Sequence, residues 1–438
     1  PRALWAPRAP SARTLGVCYA CAMLVLLLAC DPDDRGAPPP PDTEDTGVAG
    51  IAAGSSADAD GVVTPSGGDL SGYVTASTAA LDGEVGLFVG TNLGTALLRE
   101  PEGAASLPDL AVATIEGAAP VVGDQDGDGW DDLVSFHSGP AGDDEWQAHA
   151  GVWRGPFVGV QGREDLVVTY ERAWEDLEAF YADAALGGDV DGDGADDLLV
   201  TELADTLDAV RVGRVPPDAS GALVDLPTVL DGLPKASWWI LPAGDGDGDG
   251  LDDLLLASEG HAIWLPGPLG GAYADADVIV EGGIRDATPG DVDGDGRSDL
   301  LVETEGVVLL LPGVPASGDA AAQAVAVLEL ESGVDAWYDP AVAVATIDGR
   351  PTVAIGHTPI DLGEPDGVYV LHGPLAGALP LADVQRWYGA EANQELGVSV
   401  VLLDGDDGGR LYAGARGYAE AEGAIYRFDL PAPIATGR

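Results

Sequence analysis

The chain has 438 residues, 46% of them hydrophobic, which excludes general disorder and leaves room for one large folded unit or two ordinary ones. Its 75 acidic residues against 19 basic ones give a formal charge of −56, with Lys235 as the only lysine. That balance excludes nucleic acid and anionic membrane surfaces as electrostatic partners.

Residues 1–29 read as an export signal. Arg2, Arg8 and Arg13 precede an apolar stretch from Leu15 to Ala29 that is too short to favour a membrane span. The stretch ends in Leu27-Leu28-Ala29-Cys30, which resembles the lipobox of bacterial lipoproteins. The resemblance implies that Cys30 is lipidated and becomes the N-terminus, so that the protein is anchored through it at the bacterial cell envelope, with the outer membrane or cell surface preferred over the inner membrane. Cys18, Cys21 and Cys30 are the only cysteines, all at or before this point, so the exported chain folds without disulfides. Residues 30–60 are rich in proline, acid and small residues without apolar period and read as an extended tether. Residues 61–438 carry the folded part.

That part is a repeat. "GDQDGDGWDDLV" at 123–134, "GDVDGDGADDLLV" at 188–200, "GDGDGDGLDDLL" at 244–255 and "GDVDGDGRSDLL" at 290–301 share one pattern, each running into an apolar stretch. Weaker copies surround Asp82, Asp348 and Asp404. The spacing of about 40 to 65 residues makes seven units, and a fixed period of this size marks a repeat architecture. Within a unit, apolar runs of four to six residues bounded by Gly, Pro and Asp read as strands. Several strands per unit fit an all-β, seven-bladed β-propeller, with six or eight blades as alternatives and a parallel β-helix as the rival architecture. The stretch 170–186, "YERAWEDLEAFYADAAL", has helical spacing and is expected to be an insertion. The ring closes with a strand from either terminus, and "GYVTAST" at 72–78 is a candidate to complete the blade begun near Asp404.

The last unit, "ELGVSVVLLDGDDGGRLYAGARGYAEAEGAIYRF" at 395–428, resembles the FG-GAP or VCBS-type repeat found in the integrin α-subunit propeller and in bacterial surface proteins. Leu396-Gly397 stands where that family has Phe-Gly, and Gly414-Ala415 keeps the Gly-Ala, with Arg416 in place of proline. The resemblance covers residues 72–430 and implies an ion in a blade hairpin whose shell is completed by water.

Numbered from the first Asp, each strong loop has carboxylates at positions 1, 3, 5 and 9 and glycines at 4 and 6: Asp124, Asp126, Asp128 and Asp132; Asp189, Asp191, Asp193 and Asp197; Asp245, Asp247, Asp249 and Asp253; Asp291, Asp293, Asp295 and Asp299. Hard oxygens without His or Cys select Ca²⁺, about four ions in all, and Mg²⁺ is disfavoured by its stricter octahedral shell. Position 7 is Trp130, Ala195, Leu251 or Arg297, a variation expected if only its backbone carbonyl coordinates. An EF-hand needs Glu at position 12, where these loops have Ser135, Val200, Leu256 and Val302. Position 8 is Asp131, Asp196 and Asp252 but Ser298 in the fourth copy, so it reads as a solvated charge rather than a ligand. The Asp82, Asp348 and Asp404 copies read as metal-free turns.

His137, His149, His261, His357 and His372 show no ligand-like spacing and read as scattered over different units. No motif seeds an active site. Most tryptophans, including Trp146, Trp153, Trp238, Trp239, Trp264, Trp337 and Trp387, are expected to pack between blades. The expected function is non-enzymatic binding of a protein or glycan partner by a calcium-stabilised, lipid-anchored propeller. A polysaccharide lyase or hydrolase and a purely structural envelope protein are the alternatives.

Overall fold

The computed structural model describes residues 53–64, 70–81, 84–91, 94–116, 121–140, 146–162, 165–166, 168–174, 184–186, 188–202, 210–217, 220–222, 226–233, 238–258, 261–269, 278–281, 284, 286–304, 307–329, 341–358, 366–380, 384–389, 395–405, 408–416 and 423–430. Cys30 and Asp82 lie outside them, as do Asp406 and Asp407. No helix among the described residues is long and apolar enough to cross a membrane.

Seven small sheets form the blades of a β-propeller. Blade 1 runs through Leu70–Leu81, Glu84–Thr91, Gly94–Arg99 and Ala111–Glu116. Blade 2 uses Val121–Gly123, Asp132–Pro140, Trp146–Trp153 and Val168–Trp174. Blade 3 uses Ala184–Leu186, Leu198–Glu202, Val210–Val215 and Thr228–Leu233. Blade 4 follows with Trp239–Gly244, Asp253–Ser258, His261–Leu265 and Val278–Glu281. Blade 5 has Asp286–Gly290, Asp299–Thr304, Val307–Leu311 and Ala326–Glu329. Blade 6 has Val342–Ile347, Arg350–His357, Gly367–His372 and Gln385–Tyr388. Within each blade successive strands are antiparallel, and from blade 2 round through blade 7 to blade 1 the first strands of neighbouring blades touch, which places them innermost.

Blade 7 closes the ring. Its first three strands, Leu396–Leu403, Arg410–Ala415 and Ala424–Asp429, come from the C-terminal end, and its fourth, Gly61–Thr64, comes from the N-terminal end, antiparallel to Ala424–Asp429. This corrects the sequence expectation for 72–78, which belongs to the first strand of blade 1. The helical expectation for 170–186 is also overturned at both ends. Val168–Trp174 pairs along the third strand of blade 2, and Ala184–Leu186 opens blade 3.

A second interlock runs round the ring. Six of the seven sheets carry a short fifth strand, donated in parallel by the following blade, in five cases from its connection between third and fourth strands and in the sixth from the N-terminal segment. Gly159–Gln161 of blade 2 pairs with blade 1, Gly221–Ala222 of blade 3 with blade 2, Gly318–Asp319 of blade 5 with blade 4, and Gly377–Pro380 of blade 6 with blade 5. Ala104–Ser106 of blade 1 pairs with Gly61–Thr64 of blade 7. Ala53–Ser55, within the stretch that reads as tether, pairs with Gln385–Tyr388 of blade 6. The N-terminal segment therefore supplies both the closing strand and one interlocking strand.

The core lies between blades. One cluster joins Leu199, Val212 and Leu230 of blade 3 to Leu254, Leu256 and Ile263 of blade 4, and similar clusters join blades 4 and 5, 5 and 6, 6 and 7, 7 and 1, and 1 and 2. Each sheet is covered on both faces, so Asp253–Ser258 and Asp299–Thr304 are buried at every position. That is why these runs are continuously apolar instead of alternating.

Removing residues 1–64 strips blade 7 of its fourth strand and exposes the edges of two sheets. The expected outcome, read by calorimetry, is loss of the single cooperative melting transition. A chain lacking only residues 1–52 should melt as the full chain does.

Candidate metal centre

The four acidic loops join first to second strands in blades 2, 3, 4 and 5, four consecutive blades, and so lie at one end of the ring. Their internal geometry repeats. In blade 3, Asp189 Oδ1 accepts from the N–H groups of Gly192 (2.7 Å) and Asp193 (3.0 Å), and its Oδ2 accepts from Gly194 (2.9 Å). Asp191 Oδ1 accepts from Asp193 N–H (3.1 Å), and Asp193 Oδ1 from Ala195 N–H (3.1 Å). Blades 4 and 5 show the same bonds from Asp245, Asp247 and Asp249 and from Asp291, Asp293 and Asp295. Such a coil requires φ > 0 at positions 4 and 6, and the glycines supply it: Gly192 at 83° and Gly194 at 90°, with matching values in the other three loops.

The coil aims carboxylates at one point. Oxygens of Asp124, Asp126 and Asp132, of Asp189, Asp191 and Asp197, of Asp245, Asp247 and Asp249, and of Asp291, Asp293 and Asp295 lie, within each group, inside 4.8 Å of one another. The donor set is oxygen alone, which suits a hard cation and no soft one. Asp128 and the position 7 residues are held to the loop through Trp130 N–H to Asp128 Oδ1 (2.9 Å), with Ala195, Leu251 and Arg297 bonded likewise.

Position 9 is buried in every loop, and in blades 2, 4 and 5 it pins two connections of its own blade together, whereas Asp197 of blade 3 accepts from Val190 N–H and is ion-paired with Arg214. Asp253 accepts from Gly246 N–H at 3.1 Å, from Gly267 N–H beyond the third strand at 3.0 Å, and from the Trp264 indole at 3.0 Å. Asp132 and Asp299 do the same with Gly155 and Gly313. Burial pushes the Asp132 carboxyl up to about 7 and Asp197 up to about 6, and raises Asp253 and Asp299 as well.

Position 8 is not a solvated charge, and the structure corrects that expectation. Asp196 of blade 3 accepts from Asp124 N–H of blade 2 at 3.0 Å and returns its own N–H to the Asp124 carbonyl at 2.8 Å. Asp252 of blade 4 bonds Asp189 of blade 3 the same way, at 2.9 and 3.1 Å. Ser298 N–H of blade 5 donates to the Asp245 carbonyl at 3.0 Å, and Asp131 is buried. The residue just before each loop is glycine for the same reason. A Cβ on Gly123, Gly188 or Gly244 would overlap the side chain of Asp196, Asp252 or Ser298, and one on Gly290 would overlap Val344. The signal for this was in the sequence, since all four strong copies begin with glycine.

The weaker copies join the same chain of contacts. Asp348 N–H of blade 6 donates to Asp404 Oδ1 of blade 7 at 3.1 Å. Sequence reasoning also missed two arginines. Arg154 is ion-paired with Asp126, and Arg214 with Asp191, Asp193 and Asp197. Among the tryptophans whose side chains are described, Trp153, Trp238, Trp264 and Trp387 are buried. The histidines are not scattered over different units: His137 and His149 stand opposite each other on adjacent strands of blade 2, and His149 is also opposite Glu171. His261 stands opposite Glu281 at the corresponding place in blade 4.

No protein-family model matches the chain. No curated protein matches it. Among solved structures it is similar to the crystal structure of the S. cerevisiae core factor, with 11% identity and a TM-score of 0.38 over 79% of this chain and 54% of that one. The chain thus spans about half the length of that structure's chain.

Two outcomes are expected. Asp252→Ala leaves Asp189 N–H without its acceptor and should lower unfolding free energy by about 1–2 kcal/mol. Gly188→Ala, strained at φ 76° and overlapping Asp252, should lower it by roughly 2–5 kcal/mol. Urea denaturation measures both. The second outcome concerns pH with chelator present. Carboxyls whose folded pKa is raised hold their protons more tightly in the folded chain, so their contribution is greatest near pH 4 and is lost as pH rises through about 6 and 7. The urea midpoint should therefore fall from pH 5 to pH 8, and less steeply in Asp132→Asn.

Proposed function

We propose that the chain is a calcium-stabilised β-propeller, related to the FG-GAP or VCBS-type repeat proteins and held at the bacterial envelope by a lipid on Cys30, which presents loops to a protein or glycan partner. The observation that carries the calcium reading is the convergence of three carboxylates within 4.8 Å in each of four consecutive blades. Like charges this close repel by about 4 kcal/mol per pair at the effective dielectric of a protein surface, and a bound divalent cation reverses the sign of that term.

The partner reading rests on where the chain varies. The connections between second and third strands range from 259–260 and 305–306 to 203–209 and 358–366. They leave the strands at the end opposite the acidic loops. Loops of variable length on a rigid scaffold are where recognition is placed. The acidic end then serves stability, and the other end serves binding.

Calorimetry with and without calcium tests the metal reading. At a free concentration of 100 times Kd each occupied site adds about 2.7 kcal/mol, so calcium should raise the Tm by several degrees and chelator should remove the gain. The double variant Asp247→Asn, Asp249→Asn should show a smaller rise. An unchanged Tm in all four conditions would overturn the reading.

A further inference from the structure

The four loops differ in one respect that the acidic pattern conceals. On the third strand of blade 3, Arg214 stands opposite Leu199, and its guanidinium is ion-paired with Asp191, with Asp193 at 2.9 Å and with the buried Asp197. These are positions 3, 5 and 9 of a single loop. The corresponding register position is Val152 in blade 2, Trp264 in blade 4 and Leu310 in blade 5. Blade 2 has a weaker counterpart from outside that register, Arg154, which is ion-paired with Asp126. Among the described residues no arginine or lysine is ion-paired with the acids of the blade 4 and blade 5 loops. Arg297 packs over Gly248 without such a pair.

We propose that Arg214 is a built-in counter-ion that takes the place of a divalent cation in the blade 3 loop, so that the loops form two ranks, with blades 4 and 5 binding cation most tightly and blade 3 least. The inference rests on the calcium reading above and refines it. A guanidinium has five donors in a fixed planar fork, enough to engage three carboxylates at once. Its side chain is only 24% exposed and Asp197 is 2% exposed, so that pair is sheltered from solvent, while Asp191 at 33% and Asp193 at 50% stay open to it. A cation entering this loop has to break all of them and then sit beside the displaced positive charge. Among the described residues, the same carboxylates in blades 4 and 5 are satisfied by backbone N–H groups and the Trp264 indole alone. Arginine thus does in one blade, permanently, what calcium does reversibly in its neighbours.

Isothermal titration of calcium into the full, chelator-treated chain tests this. Asp249→Asn and Asp295→Asn should each remove a tight site from the wild type, while Asp193→Asn should leave the tight class unchanged. Arg214→Gln should add a tight site, its affinity raised about tenfold, which Asp193→Asn then abolishes. With chelator present, Arg214→Gln should melt below the wild type, and calcium should restore it. Arg214→Lys keeps one charge without the fork and should fall between the two, a reading that survives if the glutamine variant does not fold. Four sites of equal affinity in the wild type, or an isotherm unchanged by both Arg214 variants, would overturn the proposal and leave the calcium reading standing. No calcium heat from any variant would overturn both.

Discussion

A carboxylate or hydroxyl at position 8 of one loop lies against a glycine of the preceding blade, and its backbone N–H bonds the carbonyl of the acid that follows that glycine. Most of the acidic end follows from this contact. The glycine has to precede the loop because no Cβ fits beneath the neighbour's side chain. In blades 2 and 3 the acid at position 1 is fixed in orientation because both its backbone N–H and its carbonyl are bonded across the blade boundary, leaving the side chain to organise the coil. The coil then brings positions 3 and 5 round to face it. A charged loop at the surface becomes part of the joint between blades, so whatever neutralises the loop also secures the joint.

The opposite end uses the same chemistry with different residues. Asp366 of blade 6 is buried and accepts from Leu396 N–H at the start of blade 7, at 3.1 Å. Burial pushes its carboxyl up to about 6 although backbone N–H groups pull the other way. The next residue, Gly397, adopts φ 103° and brings its carbonyl against Gly356 of blade 6, where a Cβ would overlap it. The glycine of the Leu396-Gly397 pair, which marked the repeat in the sequence, is thus there for a backbone-to-backbone contact between blades. Carboxylates reach across at both ends, and apolar clusters fill the space between.

The parts of the fold legible in the sequence were those that repeat. Four copies of one acidic loop set the period, and the continuous apolar runs after them signalled strands buried on both faces. The parts that were not legible depend on contacts between copies. Gly61–Thr64 has no repeat of its own, being the fourth strand of a blade whose other strands lie at the far end of the chain. Its pairing with Ala424–Asp429 leaves no local trace. The stretch around 170–186 carries apolar residues at helical spacing because a strand end and the next strand start happen to flank a long connection, and edge pairing prevailed over local pattern. Position 8 was misread for a related reason. Variation between Asp and Ser suggests a role open to any polar residue in solvent, whereas the shared requirement is a small polar side chain that fits over glycine.

Position 2 shows how a repeat compensates within itself. Gln125, Val190 and Val292 are buried there, but blade 4 has Gly246. The space is taken by the ring of Trp264, which would overlap a Cβ on Gly246 and whose indole N–H reaches Asp253. In blade 3 the same register position carries Arg214, which also reaches the position 9 acid, Asp197, beside a valine at position 2. Two blades thus solve one problem, satisfying a buried carboxylate from the third strand, with groups of opposite electrostatic consequence. The indole donates a hydrogen bond and leaves the negative charge in place; the guanidinium donates and cancels it. Because both sit on a strand whose backbone pairing is unchanged, the charge of a loop can be set without disturbing the blade that carries it.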